Sequence, residues 1–552
     1  MSTIEVFKAK KVVTMDPGRP CAEAIAVRDG RVLSVGSLEF MRPWLSRYEH
    51  SIDETLKDKI ILPGFIDPHT HFATSSGYLT LHYLGPIESP GPTGVNPGLP
   101  DMRAVMQKLR SVHEGMKDLA QPIVAWGVDP AMQGGTLDRD QLDAVSTARP
   151  IFVLPYAPHF VYANSAALAR IAVPENTSVY GVGRYADGRL NGVFSEIEAM
   201  RVALAGVGAA IVAGGGGAGM RRLGEVAKAA GVTLTAEMVF GFTEFDSEWT
   251  LHDAVVNDPS FPLRMALVPL ENPLYKTHGD KAAEFVLGLR ERASEKLFFH
   301  GIKYLSDGSF PAMSLRLRYP GYLDGGNGLR NDIPWEQLHE RMLPFWKAGI
   351  AIHCHANGDE AIDASLAALA RLQLAHPRFD HRFTIEHYCI STPDQARRLK
   401  ALGGLASVNN YFVHYRSLLH TDQGFGPDRS EALARLGTLE REGVVFALHS
   451  DFSLVVVPMH PLTAAWIAVN RVALDGRTVM APKERIGVER ALRAITIDAA
   501  YVLGMDDKLG SLEPGKYADF AILEEDPFEV DPMRLKDVRI WGTALAGKLQ
   551  PV

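Results

Sequence analysis

From residue 225 onward the chain alternates short apolar runs with longer stretches whose apolar residues return every three to four positions. The first texture is that of a buried strand and the second that of an amphipathic helix, so their alternation predicts βα units around a parallel sheet. Seven runs have the strand texture: VTLTAEM from Val232, LRMALVPL from Leu263, FFHGIKYL from Phe298, IAIHCHA from Ile350, FTIEHY from Phe383, GLASVNN from Gly404 and VVFALHSD from Val444. An eighth, IILPGFIDPHTH from Ile60, lies far upstream. Eight is the number that closes a (β/α)8 barrel. Within this region DEAIDASLAALARL sets Ile362, Leu366 and Leu369 on one helical face, as a helix covering such a barrel requires.

The ends of the chain read differently. EVFKAKKVVTM and AEAIAVRDGRVLSVG near the start, with RDGR as a hairpin signal, and GSLEPGKYADFAILEED and DVRIWGTALAGKLQ near the end are short strands joined by turns. Two strand-rich ends flanking a long middle predict one small β-sandwich built from both. The stretch between the first barrel strand and the second has strands of its own, PIVAWGVD and PIFVLPYA, and is far longer than a βα loop. The expected fold class is therefore α/β: a (β/α)8 TIM-like barrel, a β-sandwich from residues 1–59 and 501–552, a first barrel strand in 60–75, an inserted α/β domain over 76–225 and the remaining strands in 226–500.

Composition changes this picture little, but it excludes some functions. With 46% hydrophobic and 22% charged residues the chain can bury a large core, and a net charge of -8 with no long basic run argues against nucleic-acid binding. Its three cysteines, Cys21, Cys354 and Cys389, form no C-x-x-C spacing, and the first residues lack the apolar core of a secretory signal. A cytoplasmic location follows as the expectation. Residues Val202 to Met220 are uncharged and nearly long enough to span a bilayer, yet so rich in glycine that an Ala/Gly helix running into a loop is expected instead, with no membrane association. The GGGG within it lacks the Gly-Lys-Ser/Thr of a phosphate loop.

Chemistry gathers at the strand ends. In GFIDPHTHF, His69 and His71 stand one residue apart, and side chains at i and i+2 of an extended strand share a face, so both imidazoles can reach one point. With 19 histidines in 552 residues, about one such pair arises by chance, so the pair alone decides nothing. The other strands decide it. Lys303 lies on the fourth, His355 ends the fifth, His387 ends the sixth and Asp451 ends the eighth. A lone histidine there is ordinarily packed or exposed and a lone aspartate caps a helix, but barrels of this kind carry their sites at the C-terminal strand ends, where all six fall together. Imidazoles and a carboxylate form an N/O ligand set for one or two divalent ions, zinc above all and also Mn, Fe, Co or Ni. A lysine beside cations must lose its charge or turn away; carboxylation by CO2 makes it a bridging anion. His353, two residues before His355, faces inward as well, and His355 is preferred as nearer the mouth.

In order along the chain, PGFIDPHTHF, KYLSDGS, HANGDEA, IEHY, HSDFS and GSLEPGKYADFAIL resemble the amidohydrolase superfamily, in the branch that includes N-substituted formamide deformylase and exoenzyme-regulator-like proteins. The resemblance spans nearly the whole chain, including LDRDQLDAVSTARPIFVLPYAPHFVYANSAAL in the insert. It implies that His69, His71 and Asp451 hold the more buried metal, that His355 and His387 hold a second, and that a carboxylated Lys303 bridges them. Asp451 is then also the catalytic proton shuttle. His159, Asn164, Tyr411, His414 and Arg416 are implied or expected to contact substrate. Three positions depart from the pattern: Asn357 stands where an apolar residue is usual, His449 where glycine is usual, and His353 precedes His355.

The reaction that follows is hydrolysis of a C–N (amide) bond of a small molecule. A metal-bound water loses a proton near neutral pH, the metal polarises the carbonyl, and Asp451 carries the proton to the leaving nitrogen. A deaminase, a lactone or cyclic-amide hydrolase, an esterase, or a regulatory protein without turnover are the alternatives on the same fold. The expected partners are a small amide-like substrate and further copies of the chain in a homo-oligomer.

Overall fold

The computed structural model describes residues 2–90, 94–156, 160–208, 215–242, 244–331, 333–452 and 458–552. They divide into two units, one of Met1–Thr70, Gly224–Ser450 and Met459–Val552, the other of His71–Leu223 with Asp451–Pro458.

In the first unit the expected strands all form. A four-stranded parallel sheet contains β1 (Phe65–Thr70), β2 (Val232–Phe240), β3 (Arg264–Pro269) and β4 (Leu297–Phe299). A five-stranded parallel sheet contains β5 (Ile302–Leu305), β6 (Ile352–Ala356), β7 (Thr384–His387), β8 (Leu405–Val408) and β9 (Phe446–Leu448). The run FFHGIKYL expected as one strand is thus two pieces, separated at His300 and Gly301, and a bridge from Leu270 to Lys303 carries the pairing across. Gly301 has φ +71°, a conformation that other residues adopt at a cost, so the interruption is written into the sequence. Beyond β9, Ser450 donates from both its backbone N–H and its hydroxyl to Asp67 of β1, which brings the last strand to the first.

Helices follow the strands in βα alternation. The helix Asp359–Ala375 buries Ile362, Leu366, Leu369 and Leu372 along one stripe, and Pro393–Ala401 begins with a capping box between Thr392 and Gln395. Ile66, Leu234, Ala236, Met238, Ala266, Val268, Leu405 and Ala447 of the strands pack with Ala499, Ala500 and Val502 from the helix Ile497–Val502.

One expectation is corrected. The run from Ile60 was expected as one barrel strand, but Ile60–Pro63 pairs with Ile4–Val13 and Phe520–Leu523, and only Phe65–Thr70 joins the barrel strands. Gly64 makes the handover, because a Cβ there would come 1.9 Å from the Thr233 hydroxyl oxygen. The two ends of the chain contribute eight strands to one hydrogen-bonded sheet. Its first strand pairs His50–Asp53 along its first half and Ile60–Pro63 along its second.

This sheet is tied to the barrel strands by a buried ion pair. Arg264 of β3 donates from Nε to Asp519 at 2.6 Å, the guanidinium lies 3.9 Å from the Tyr517 ring centre, and Asp519 also accepts from the Ala546 N–H. Both charged side chains are almost fully buried, so removing one strands the other. Asp519→Ala is expected to cost about 3–5 kcal/mol of stability, read as a lower midpoint in chemical denaturation; an unchanged midpoint would show the pair to be dispensable.

The second unit has a six-stranded sheet in the order Val182–Arg184, Leu190–Ser195, Phe160–Ala163, Ile151–Pro155, Ile123–Val128, His82–Tyr83. Its core packs Leu84, Val105, Leu109, Ile123, Ile151 and Val153. Among the described residues no helix is long and apolar enough to cross a membrane, and the helix ending at Leu204 stops well inside the apolar stretch that begins at Val202.

Candidate metal centre

The site in the first unit begins at the inward positions of β1 and β7. Glu386, fully buried, has one carboxylate oxygen 2.6 Å from His69 Nδ1 and the other 2.6 Å from His353 Nδ1. Burial alone would push its carboxyl up, but the bond from His353 and the nearby Lys303 charge outweigh burial and hold it down at about 2. An ionised carboxylate accepts only, so both histidines carry their proton on Nδ1 and keep the Nε2 lone pair. For His69 that nitrogen lies 3.3 Å from Lys303 Nζ.

His387 reaches the same place by a different route. Strand alternation that turns Thr384 and Glu386 inward would turn His387 outward. Its φ of +72° reverses the chain at the end of β7 and swings the imidazole back, to 4.7 Å from His69 and 4.6 Å from His355 between ring centres. A non-glycine residue there costs of order 1–3 kcal/mol, a strain that clusters at functional sites. Burial and the neighbouring imidazoles keep the His387 ring neutral, well below the usual histidine range. Such a ring is a ready metal ligand. His449, just past β9, completes a set in which the ligand nitrogens of His69, His387 and His449 all lie within 4.8 Å of one another.

The remaining candidates divide. In the second unit His71 Nε2 lies 3.1 Å from Asp451 Oδ1, and the His71 N–H donates to the Phe452 carbonyl. Asp451 sits at φ +58°, a second strained residue. His355 is brought beside His387, but its Nε2 lies 3.0 Å from Asn357 Nδ2, 3.2 Å from the Gly308 carbonyl and 3.6 Å from Asp307. Burial pushes the Asp307 carboxyl up to about 7, against the pull of the backbone N–H groups of Asn357, Arg316 and Gly358. His353 is held by Glu386 on one side and faces Gly301 on the other, where an added Cβ would come 3.2 Å from its Nε2.

The expected substrate residues fare less well. Asn164 caps the helix Ser165–Arg170, and its amide is used up on Ile151 N–H, Ala167 N–H and the carbonyls of Ser146 and Arg149. It acts as a structural clamp. The Tyr411 hydroxyl donates to the His460 carbonyl, and His414 Nδ1 lies 2.7 Å from the Val472 carbonyl, so both tie one helix to the backbone of its neighbours. Arg416 is fully buried at the end of the same helix. His159 lies outside the described residues.

Buried imidazoles with converging nitrogens, one of them braced by a carboxylate on its far nitrogen, fit a divalent ion of the zinc type. Residues 55–550 match the model of the amidohydrolase family. The chain belongs to that family. This amidohydrolase is 28% identical over 533 residues to the Arabidopsis thaliana protein LONG AFTER FAR-RED 3, covering 94% of this chain and 86% of that one. It is 22% identical over 577 residues to the N-substituted formamide deformylase of Arthrobacter pascens, covering 98% and 96%. Its fold is that of an uncharacterized metal-dependent hydrolase from Pyrococcus horikoshii OT3, with a TM-score of 0.73 at 20% identity and coverage of 96% and 99%.

Glu386 escapes a search for ligands because it is not one. Its signal in the sequence is the alternation of IEHY, which puts a carboxylate on the inner face beside two histidine strands. In the amidohydrolase Glu386→Gln, one amide N–H must face an imidazole N–H, so one ring has to change tautomer. Zinc affinity is expected to fall about 10–100-fold in a competition titration against a chromophoric chelator; an unaltered affinity would mean that Glu386 only fills space.

Proposed function

We propose that this amidohydrolase cleaves the C–N bond of a small amide with a water activated at a divalent metal, zinc first among the candidates. The observation that carries the reading is the buried His69, His387 and His449 set, with Glu386 fixing the tautomer of His69. A divalent ion bound there supplies an acidified water and polarises the scissile carbonyl. His69 and His71, separated by one residue, are assigned to it with Asp451, and His355 and His387 to a second ion. Asp451 accepts the proton of the attacking water and returns it to the leaving nitrogen, a role open to a carboxylate whose backbone is held in one conformation. Lys303, 3.3 Å from His69, is assigned as a carbamate that contributes an anionic oxygen to both ions. The likeness to N-substituted formamide deformylase supports an amide, above all an N-substituted one, over an ester or an amidine.

The test is a hydrolysis screen of the zinc-loaded protein over formamides, acylated amines, lactams, lactones and aryl esters, run beside a chelated sample. Amide turnover that disappears on chelation and returns with zinc is expected. Turnover of esters or lactones alone would reassign the bond, and chelation-insensitive turnover would remove the metal from the mechanism. Carbon-13 bicarbonate supplied during loading is expected to give a carbamate resonance that Lys303→Arg abolishes.

A further inference from the structure

His449 is unassigned in the reading above beyond its place among the imidazoles, and it stands where the resembling sequences ordinarily have glycine. We propose that His449 is a metal ligand, which makes His69, His387 and His449 a three-imidazole centre for a nitrogen-preferring divalent ion such as zinc or cobalt. This rests on the metal-hydrolase reading, adds a ligand to it and moves His387 from the second ion to the one that His69 holds.

Three observations converge on the assignment. Imidazole nitrogens about 2.0–2.1 Å from one ion put ring centres roughly 3.2 Å from it, so rings subtending about 90–110° stand roughly 4.5–5.2 Å apart. The ring centres are 4.5 Å apart for His69 and His449, 4.7 Å for His69 and His387, and 5.1 Å for His387 and His449. The ligand nitrogens, all within 4.8 Å of one another, need shifts of under about an ångström by each ring to reach the roughly 3.3 Å spacing of a tetrahedral site.

The second observation is how firmly the residue is held. His449 is buried, its N–H donates to the Val408 carbonyl at 3.1 Å, and the next residue is clamped to Asp67, two positions before His69 on β1. The third is the donor set: all three side chains are imidazoles, with no thiol among them, the ligand type that an ion of the zinc or cobalt kind takes.

The experiment uses the full chain. Crystals soaked in zinc are read by anomalous scattering, and metal affinity in solution is measured for wild type, His449→Phe, which keeps a ring of similar shape without a donor, and His449→Gly. A peak within about 2.3 Å of a ring nitrogen of His449, as well as of His69 and His387, is expected. Affinity is expected to fall at least about 100-fold in both variants, beyond the range of an outer partner. A peak ligated by His69 and His387 but more than about 3 Å from His449 overturns the proposal, as does unchanged affinity in a variant whose circular dichroism matches wild type. A folded wild type that binds no zinc or cobalt overturns instead the metal-hydrolase reading on which it rests. Should both variants fail to fold, the anomalous map of wild type still decides.

Discussion

Replacing His69 by alanine is expected to abolish tight zinc binding and to lower hydrolysis about 10³-fold or more, while the protein stays folded. Its imidazole is the point where the site's contacts meet. Nδ1 is held by Glu386, Nε2 faces Lys303, and the ring lies beside both His387 and His449. Losing it removes one ligand and also frees the carboxylate that had oriented it, so the ion loses position as well as affinity. Loss of the water activation and carbonyl polarisation that an ion supplies is worth several kcal/mol, hence the size of the rate effect. Elemental analysis after gel filtration gives the metal content and single-turnover kinetics the rate. Full metal stoichiometry in the variant would reject His69 as a ligand. Survival of the fold is expected because the apolar cluster between the strands and the helix Ile497–Val502 does not include this ring.

Much of this site is legible in the sequence because strand ends and barrel order are. The alternation of apolar runs and helical stripes finds the runs that hold the strands of the two parallel sheets, and H-x-H at the end of β1 follows from the period of an extended chain. What escapes are features set by backbone conformation and by distance across the barrel. Alternation alone would have turned His387 outward; only its positive φ brings it in, and no composition or spacing signals that. Glu386 reads as an ordinary strand residue until His353 of the neighbouring β6 and His69 of β1 are brought against its carboxylate. The break in the fourth strand and the handover at Gly64 are likewise decided by contacts with residues remote in sequence, Gly64 by Thr233. Asn164 has a structural use beside the one its motif implies. It lies in a motif shared with the family, but an asparagine at a helix start has a structural use for every donor and acceptor it owns, and here it uses them.

Asp451→Asn is expected to lower kcat by about 10²–10⁴-fold at saturating zinc with KM changed only a few-fold, the loss typical of a missing general acid/base. Asparagine is the informative substitution because Asp451 sits at φ +58°, in the left-handed region that Asn tolerates better than most residues. The amide keeps the shape and the backbone but cannot take a proton. Its Oδ1 can still meet His71 Nε2, which lies 3.1 Å from the carboxylate, so His71 is not left without a neighbour. Alanine would confound the result by adding backbone strain to the loss of the carboxylate. Measuring at saturating zinc separates proton transfer from any share Asp451 has in holding the ion, since a ligand loss is repaired by more metal and a shuttle loss is not. A kcat within about threefold of wild type under those conditions would move the general acid/base role to another residue.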